Sequence, residues 1–418
     1  MFRNPAFFFI YFTLWGDNMD MRSISRSFKV VAAVLFSGIC MSQLQAQSFL
    51  SDYFETAAAA IPNRLTLSAF EEVRYNDNIH DSATRKVGSF INECGLSLDW
   101  YKNYENGKYG IVGDISYEYY DKDSDESEFK WNISPFILGG IDLLGNDRLM
   151  LTLSSRSVNE KYDTSDTNHT THIDNMVGLT YDMLKFARWG VALSAKYLNK
   201  YYTDSDYKDK SYQEYTFGVA PYYNLTDKIK LGIHNSYKEK VYRNNKSHDD
   251  SKTYEIAPFI DYRQSSKFSV HLGAGLSRTE YKGRSQDTNG DGEWEPVASL
   301  TLRYFPVRNF FLTYISNIEW EDTGSGRGGR MSYFNSLRAT WQLTHRISFS
   351  PGASMDIQDE RNSVFDSTEY SVFANLDYKI SERFSTYLGY EYEHIKYKYR
   401  SNRDYEVNEV WLGVKFTY

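Results

Sequence analysis

The sequence is poor in cysteine and proline, and after its first 50 residues it has no long apolar run. Its 418 residues include two cysteines, Cys40 and Cys94, and eight prolines. No stretch beyond residue 50 approaches the ~20 consecutive apolar residues that a membrane-spanning helix needs, which excludes such a helix there. Once a secretion signal that contains Cys40 is removed, one cysteine remains and no disulfide can form within the chain.

Positive charge is also scarce. Lys and Arg total 47 against 55 Asp and Glu, which gives a formal net charge of −8, and the two signs are interleaved without a basic patch. Proteins that bind nucleic acid carry such a patch because the phosphate backbone is anionic. We therefore predict no nucleic-acid partner.

Aromatic residues, by contrast, are abundant. There are 36 Tyr and 26 Phe, and aromatics make up 17% of the chain, although the mean hydropathy is only −0.57. Rings with a polar edge are enriched at membrane–water interfaces. A transmembrane β-barrel reconciles many aromatics with low hydropathy, because only alternate residues of each strand face lipid.

The N-terminal region predicts secretion. Residues 1–20 fit no targeting pattern, and we interpret them as an extension ahead of the true start. Residues 21–46 combine three basic residues, a short apolar core and a small-residue cleavage site, which is typical of a signal peptide. Residues 47–64 lack alternation and are predicted to be a periplasmic N-terminal segment, so that the barrel spans residues 65–418.

The last nine residues form the clearest strand, in which an apolar face alternates with a mixed face at a period of two. Long terminal strands that end in an aromatic residue resemble the closing strand of outer-membrane barrels, which the assembly machinery recognises. We predict that the apolar face meets lipid and forms this assembly signal. The face consists of Val410, Leu412, Val414, Phe416 and Tyr418.

The same alternation repeats upstream, where nine longer polar loops alternate with eight short turns. This predicts an all-β, transmembrane, antiparallel up-and-down β-barrel of about 18 strands, with 16 as the alternative count. Outer-membrane barrels have short periplasmic turns and longer external loops. We therefore expect both termini in the periplasm and the long loops outside. A β-propeller has a similar repeat length, but its Trp-Asp signature is missing.

Four prolines fall in strands that run back towards the short-turn side: Pro135, Pro221, Pro258 and Pro296. Proline removes a hydrogen-bond donor from the ladder and is unexpected in a central strand. We predict β-bulges or bends at these positions.

Residues 67–79 read Leu-Ser-Ala-Phe-Glu-Glu-Val-Arg-Tyr-Asn-Asp-Asn-Ile and resemble the opening of the putative beta-barrel porin 2 family. In that family an early strand runs into a Tyr-(Asp/Asn)-Asp-Asn-(Ile/Val) turn. The next strand there tends to begin with a small residue and an aromatic and to end aromatic, as residues 89–100 do. The resemblance covers residues 65–418. It implies an outer-membrane barrel, sometimes linked with exopolysaccharide export, and it carries over no catalytic residues.

A calcium loop is the best candidate for a metal site. Asp287, Asn289 and Asp291 have the spacing of the first half of an EF-hand loop. Position twelve, where a bidentate Glu belongs, is Ala298. Ordinary turn chemistry is the alternative, and no other cofactor is indicated.

The sequence contains neither a G-x-S-x-G elbow nor an H-E-x-x-H pair, and we predict that the protein is not an enzyme. The strand faces opposite the apolar ones carry charges of both signs, which we predict to line the lumen. Whether these charges pair across the wall or remain to select ions is left open. Six of them are Lys196, Lys230, Arg338, Glu391, Glu393 and Lys415.

Together these features predict a porin-like outer-membrane channel for small hydrophilic solutes, or a barrel associated with exopolysaccharide export. The alternative is a non-conducting structural barrel whose Tyr-rich outside loops bind a ligand or a matrix. Expected partners are outer-membrane lipid and lipopolysaccharide, the barrel-assembly machinery, and the transported solute or polysaccharide. The sequence does not indicate an oligomeric state.

Overall fold

A computed structural model describes residues 64–418 except 80–82, 84–85, 105–106, 123–126, 141–146, 162–168, 184–187, 204, 244–249, 283–291, 323–328, 361–365 and 400–402. The predicted extension over residues 1–20, the signal peptide over 21–46 and nearly all of the segment over 47–64 lie outside the described residues. Within the part described, no helix is long and apolar enough to cross a membrane.

The described residues form eighteen strands and one short 3-10 helix, Ser205–Lys210. Each strand pairs antiparallel with the next along the chain, and β1 pairs with β18, which closes the sheet. The prediction of an 18-stranded antiparallel barrel is therefore confirmed, and 16 strands are too few. The strands are β1 (Arg64–Asn76), β2 (Ser89–Tyr104), β3 (Gly107–Tyr120), β4 (Glu128–Gly140), β5 (Arg148–Lys161), β6 (His169–Met183), β7 (Trp189–Tyr202), β8 (Tyr212–Thr226), β9 (Ile229–Tyr242), β10 (Asp250–Ser265), β11 (Phe268–Lys282), β12 (Trp294–Val307), β13 (Phe310–Asp322), β14 (Gly329–Gln342), β15 (Ile347–Glu360), β16 (Ser367–Lys379), β17 (Phe384–Tyr397) and β18 (Tyr405–Thr417).

One face of the sheet is apolar and exposed. Aliphatic side chains occupy its middle: Leu96, Ile133, Val177, Leu193, Ile233, Leu272, Leu337, Val372 and Leu412. Aromatic side chains occupy both ends. Those near the long loops are Tyr75, Phe90, Tyr119, Phe129, Tyr215, Tyr254, Trp294 and Tyr370. Those near the short turns, here called the turn-side girdle, are Tyr104, Tyr109, Trp189, Tyr304, Trp341, Phe384, Phe416 and Tyr418. An aliphatic band between two aromatic girdles is the outer surface of a barrel in a bilayer.

The predicted bulges are absent at Pro135, Pro221 and Pro258, whereas a bend at these positions stays a prediction. The register of β4 on β5 is the same on both sides of Pro135, where Ile133 pairs with Ser155 and Phe136 with Thr152. Pro221 and Pro258 likewise leave the register of their strands unchanged. Each of these prolines leaves about two residues of its strand without a pairing partner on one side, and the strand gains no extra residue. The hydrogen-bond donors on either side of this gap still hold the strand in register. Register shifts occur instead beside short turns, as between Asn224 and Thr226.

The seam between β1 and β18 is in register from Ser68 opposite Thr417 to Asn76 opposite Glu409. At its long-loop end the Asn76 side chain donates to Glu409 at 3.0 Å, and the Asn78 side chain donates to the backbone oxygen of Glu406 at 3.1 Å. The residues that resemble the family's turn motif therefore hold the first strand against the last.

Candidate functional site

The inner wall of the barrel is identified by contacts between strands that are not neighbours. Tyr222 on β8 donates to Asp182 on β6 at 2.7 Å, across β7. Arg74 on β1 lies 3.5 Å from Glu118 on β3, across β2. Such contacts need a concave surface, because side chains diverge on the convex one. Since side chains alternate along a strand, every second residue of each strand belongs to this wall.

The six charges predicted to line the lumen all lie on the inner wall. Lys196 is 3.8 Å from Glu214, and Lys230 is 3.9 Å from Asp261. These separations are long for ion pairs, and partly exposed pairs of this kind contribute about 0–1 kcal/mol. Lys415 lies opposite Phe70 of β1.

The remaining three predicted charges lie on β14 and β17. The guanidinium of Arg338 is 4.9 Å from the centre of the Phe373 ring. Glu391 accepts a hydrogen bond from Ser371 at 2.7 Å, and Glu393 is the next inner-wall residue of the same strand. The passage of solutes along these residues stays a prediction.

Arg74 is the centre of an ion-pair cluster that sequence reasoning missed. Its guanidinium lies 3.0 Å from Glu72, 3.3 Å from Glu93 and 3.4 Å from Glu409, besides its contact with Glu118. These carboxylates come from four strands: β1, β2, β18 and β3. Only Glu72 is near Arg74 in sequence. The alternation of charged residues in β1 was therefore the one local feature of the sequence that could have indicated the cluster.

Carboxylates outnumber cations around Arg74. Lys130 is the second cation of the cluster, and it contacts Glu118 and lies 3.6 Å from Glu128. Glu118 is fully buried, which a carboxylate tolerates only beside such partners. The cluster consists of Arg74 and Lys130 against Glu72, Glu93, Glu118, Glu128 and Glu409. Its net charge is negative.

Charge is segregated around the inner wall. Carboxylates dominate β15–β18 and β1–β4, where Arg74, Lys108, Lys130, Lys379 and Lys415 are the inner-wall cations among the described side chains. This sector is called the acidic wall. Its carboxylates are Glu72, Glu93, Asp99, Asp114, Glu118, Glu128, Asp356, Glu369, Asp377, Glu391, Glu393 and Glu409.

Cations dominate β5–β9, which also carry Asp174, Asp182 and Glu214. This sector is called the basic wall. Its cations are Arg148, Arg156, Lys196, Lys200, Lys230, Lys238 and Lys240. In a ring of 18 strands, β7 is opposite β16, so the basic wall faces part of the acidic wall across the lumen.

Several rings of the inner wall lie flat on glycines of the neighbouring strand. Trp411 is opposite Gly389 and its ring occupies the space where a Cβ would be; Tyr387 does the same at Gly413. A ring held against the backbone does not project into the lumen, so the wall stays thin. The same arrangement joins Phe70 to Gly95, Phe373 to Gly352, Tyr222 to Gly190 and Phe259 to Gly232.

The predicted calcium ligands Asp287, Asn289 and Asp291 lie outside the described residues. Gly292, which follows them, has a φ of +69°, and its N–H donates to Thr279 at 2.8 Å. Among the residues that the structure describes, no group of three or more His, Cys, Asp or Glu is arranged to hold a metal ion.

An Asp–His pair lies on the inner wall near the short turns. Nδ1 of His271 is 2.5 Å from Asp261, and the His271 ring stacks on Phe259 with centroids 5.8 Å apart. In the described part of the chain, Nε2 of His271 has no hydrogen-bond partner, so no serine or threonine completes a nucleophilic triad there.

A family model described as "Putative beta-barrel porin 2" matches residues 67–418. No curated protein matches the chain significantly. Among solved structures, the outer membrane protein opdK from Pseudomonas aeruginosa is 6% identical with a TM-score of 0.45, over 85% of this chain and 98% of that one. OccK10 (OpdN) from the same organism is 14% identical with a TM-score of 0.43, over 86% and 99%. OccAB3 from Acinetobacter baumannii is 10% identical with a TM-score of 0.45, over 85% and 99%. At these identities and scores, none of the three bears on what the present chain transports.

Proposed function

The chain belongs to the Putative beta-barrel porin 2 family, and on that premise we propose that it is a diffusion channel for small hydrophilic solutes with a preference for cations. A porin-like barrel of the outer membrane performs this task without catalysing a reaction. We propose that it has no enzymatic activity and that its selectivity comes from the charges of its inner wall.

The polar inner wall is the observation that supports a water-filled passage. Strands ~4.8 Å apart and tilted by about 40° give an 18-stranded barrel a diameter of roughly 35 Å between opposite backbones. Side chains alone do not fill such an interior, and barrels of this size enclose an aqueous channel. The charged groups on both sides of the lumen favour water and ions as its content.

The acidic wall supports a preference for cations. A lumen whose walls carry more carboxylates than ammonium and guanidinium groups lowers the energy of a cation within it and raises that of an anion. The basic wall across the lumen adds a field of opposite sign, which at 0.1 M ionic strength extends about 10 Å from the wall. We expect this field to orient solutes that carry both charges.

Single-channel recording in planar bilayers tests the channel. We expect stepwise conductance, and under a KCl gradient a reversal potential on the side of K⁺ selectivity. A correctly folded protein that stays silent would reject the channel and favour the non-conducting, surface-binding alternative.

A pair of matched variants tests the acidic wall. Glu391→Gln with Glu393→Gln removes two inner-wall charges and should shift the reversal potential towards zero. Asp121→Asn with Glu406→Gln removes the same charge from exposed positions at the long-loop end and should leave the potential unchanged. Equal shifts in both variants would mean that total charge, and not the wall, sets selectivity.

We also propose that the long loops face outward and that both termini are periplasmic. Epitope tags test this: one between β13 and β14 and one in the short turn after Thr226. Antibody should label intact cells through the first tag and only permeabilised cells through the second. The opposite pattern would reverse the orientation.

Export of a polysaccharide is the second candidate, which the family resemblance implies and one observation favours. Half-buried rings of Phe70, Tyr387 and Trp411 lie on neighbouring strands of the acidic wall. The flat faces of such rings can stack on the apolar faces of sugars, while carboxylates accept hydrogen bonds from their hydroxyls. Neutral oligosaccharides should then interrupt the ion current, and Trp411→Ala should shorten the interruptions. Current that oligosaccharides leave unaffected would reject this candidate and keep the solute channel.

A further inference from the structure

Six basic residues recur at one level of the barrel, each in a different short turn and within two residues of the strand that follows it. They are Arg188, Lys228, Lys267, Arg308, Arg346 and Arg383, and all are exposed. In the described residues of these turns the exposed carboxylates are Asp227 and Glu382. The six residues, called the basic collar, therefore give the described residues of these six turns a net positive charge, although the whole chain carries −8.

Backbone hydrogen bonds between neighbouring strands fix the level of the collar. The backbone oxygen of each collar residue, or of its neighbour, accepts the last hydrogen bond between two strands. Asn224 donates to Arg188 at 2.7 Å, Arg263 to Lys228 at 2.8 Å and Phe305 to Lys267 at 2.6 Å. The same bond joins Gln342 to Asn309 at 2.7 Å, Lys379 to Arg346 at 2.8 Å and Thr417 to Arg383 at 2.8 Å. The collar is thus a repeated feature of the strand ends.

The collar lies immediately beyond the lipid-facing surface. Strand β7 begins with Trp189 directly after Arg188, and β17 begins with Phe384 directly after Arg383. Both rings belong to the turn-side girdle, and Ile229, Phe268, Phe310 and Ile347 occupy the equivalent positions. Aromatic girdles mark the level where acyl chains meet headgroups. One residue further along a strand is ~3.4 Å, which places the collar among the headgroups.

Two collar side chains contact outward-facing tyrosines. Nη1 of Arg188 donates to the Tyr223 hydroxyl at 3.3 Å, and the guanidinium of Arg383 is 5.8 Å from the centre of the Tyr418 ring. The Tyr223 ring contacts the Trp189 ring, with centroids 4.7 Å apart and ring planes tilted by 51°. These cations therefore extend along the outer surface of the barrel at the girdle and not into the lumen.

We propose that the basic collar binds the phosphate headgroups of anionic phospholipids in the leaflet on the short-turn side. Guanidinium and ammonium groups are attracted to a leaflet that carries such phosphates. The collar holds the barrel at a defined depth in that leaflet. This inference rests on the proposed membrane orientation and is independent of the solute that the channel carries.

Thermal unfolding of the purified barrel tests the collar. The midpoint is measured by heat-modifiable gel migration in neutral micelles doped with either phosphatidylglycerol or phosphatidylcholine. A lipid that binds the folded barrel raises its stability, so we expect a higher midpoint with phosphatidylglycerol. Since the attraction is electrostatic, 0.5 M NaCl should remove the difference.

Two fourfold variants of equal charge separate the collar from total charge. The first replaces Lys228, Lys267, Arg308 and Arg346 by Gln and leaves the two arginines that contact tyrosines in place. In this variant the difference in unfolding midpoint between the two lipids should fall by at least half. The control replaces the exposed residues Lys122, Arg243, Lys282 and Lys396 at the long-loop end by Gln. It should keep the difference.

The proposal would be overturned if phosphatidylglycerol did not raise the unfolding midpoint of the wild type, or if both variants lost this increase equally. If the first variant does not fold, the charge-conserving exchange Lys228→Arg, Lys267→Arg, Arg308→Lys and Arg346→Lys replaces it and must retain the wild-type response. Conductance is recorded in the same preparations. A conducting barrel without a lipid response rejects the collar alone, whereas a silent barrel with that response rejects the channel alone.

Discussion

Asp77 and Asn408 join the first strand of the barrel to the last through three hydrogen bonds. The Asp77 carboxylate accepts from the backbone N–H of Asn408 at 2.7 Å and from its side-chain amide at 2.9 Å. The N–H of Asp77 donates to the backbone oxygen of Asn408 at 3.1 Å. Asp77 belongs to the stretch that resembles the family's turn motif, and its structural task is to close the sheet at the long-loop end.

Replacing Asp77 by Ala should destabilise the closed barrel. The variant loses two hydrogen bonds to a charged acceptor and leaves two Asn408 donors without it, which costs about 2 kcal/mol. Urea unfolding in micelles, followed by heat-modifiable migration, measures the loss. Asp121→Ala removes an exposed carboxylate after β3 and serves as the control. Equal stability of the two variants would contradict the role of Asp77 as a latch.

Replacing Arg74 by Gln should both destabilise the barrel and increase its preference for cations. Four carboxylates would face one another without their shared guanidinium, and breaking a largely buried ion-pair cluster costs about 3–5 kcal/mol. Urea unfolding and the reversal potential measure the two effects, and Arg74→Lys should recover part of each. Arg338→Gln removes the same charge from the inner wall beside Phe373 and should cost less stability. Equal losses of stability at the two positions would show that the cluster stabilises the barrel no more than a single inner-wall charge does.

Replacing Gly389 by Val should force the Trp411 ring off the wall. The new side chain needs the space that the ring occupies. Overpacking of this kind costs about 1–3 kcal/mol, and the displaced ring narrows the lumen. We expect lower single-channel conductance, which Gly389→Val combined with Trp411→Ala should restore. Ser350→Val, which enlarges an inner-wall side chain on β15, is the control. A double variant as poorly conducting as the single one would exclude displacement of the ring.

Replacing Phe416 and Tyr418 by Asp should prevent insertion. Both side chains lie on the exposed apolar face at the turn-side girdle, where carboxylates would have to leave water. The amount of heat-modifiable barrel in the outer-membrane fraction measures the effect. Asn375→Asp with Ser385→Asp adds the same charges to the inner wall near the same end and should insert normally. Normal insertion of the terminal variant would argue against the predicted assembly signal.

Local alternation was enough to predict the face of a side chain in the strands where the alternation is clear. Lys415 and Phe416 are neighbours in sequence, and the apolar character of Phe416, Val414 and Leu412 predicted that Lys415 points the other way, as it does. The same reasoning failed at the prolines, where it predicted bulges. A missing donor predicts a disturbed ladder, but whether the strand gains a residue or only leaves a gap depends on the bonds of both neighbouring strands, which the sequence does not show.

The sequence by itself determined the class of fold, an approximate number of strands and the two faces of the strands whose alternation is unbroken. All three follow from a period of two and from turn chemistry, which act over a few residues. Only the closed structure decided which residues meet. Asn408 is 331 positions from Asp77, and Glu409 reaches Arg74 through the pairing of β18 with β1. Such partners depend on the register at which the sheet closes. Register is a property of all eighteen strands together, so the Arg74 cluster, the opposed charged walls and the seam latch appear only when the barrel is complete.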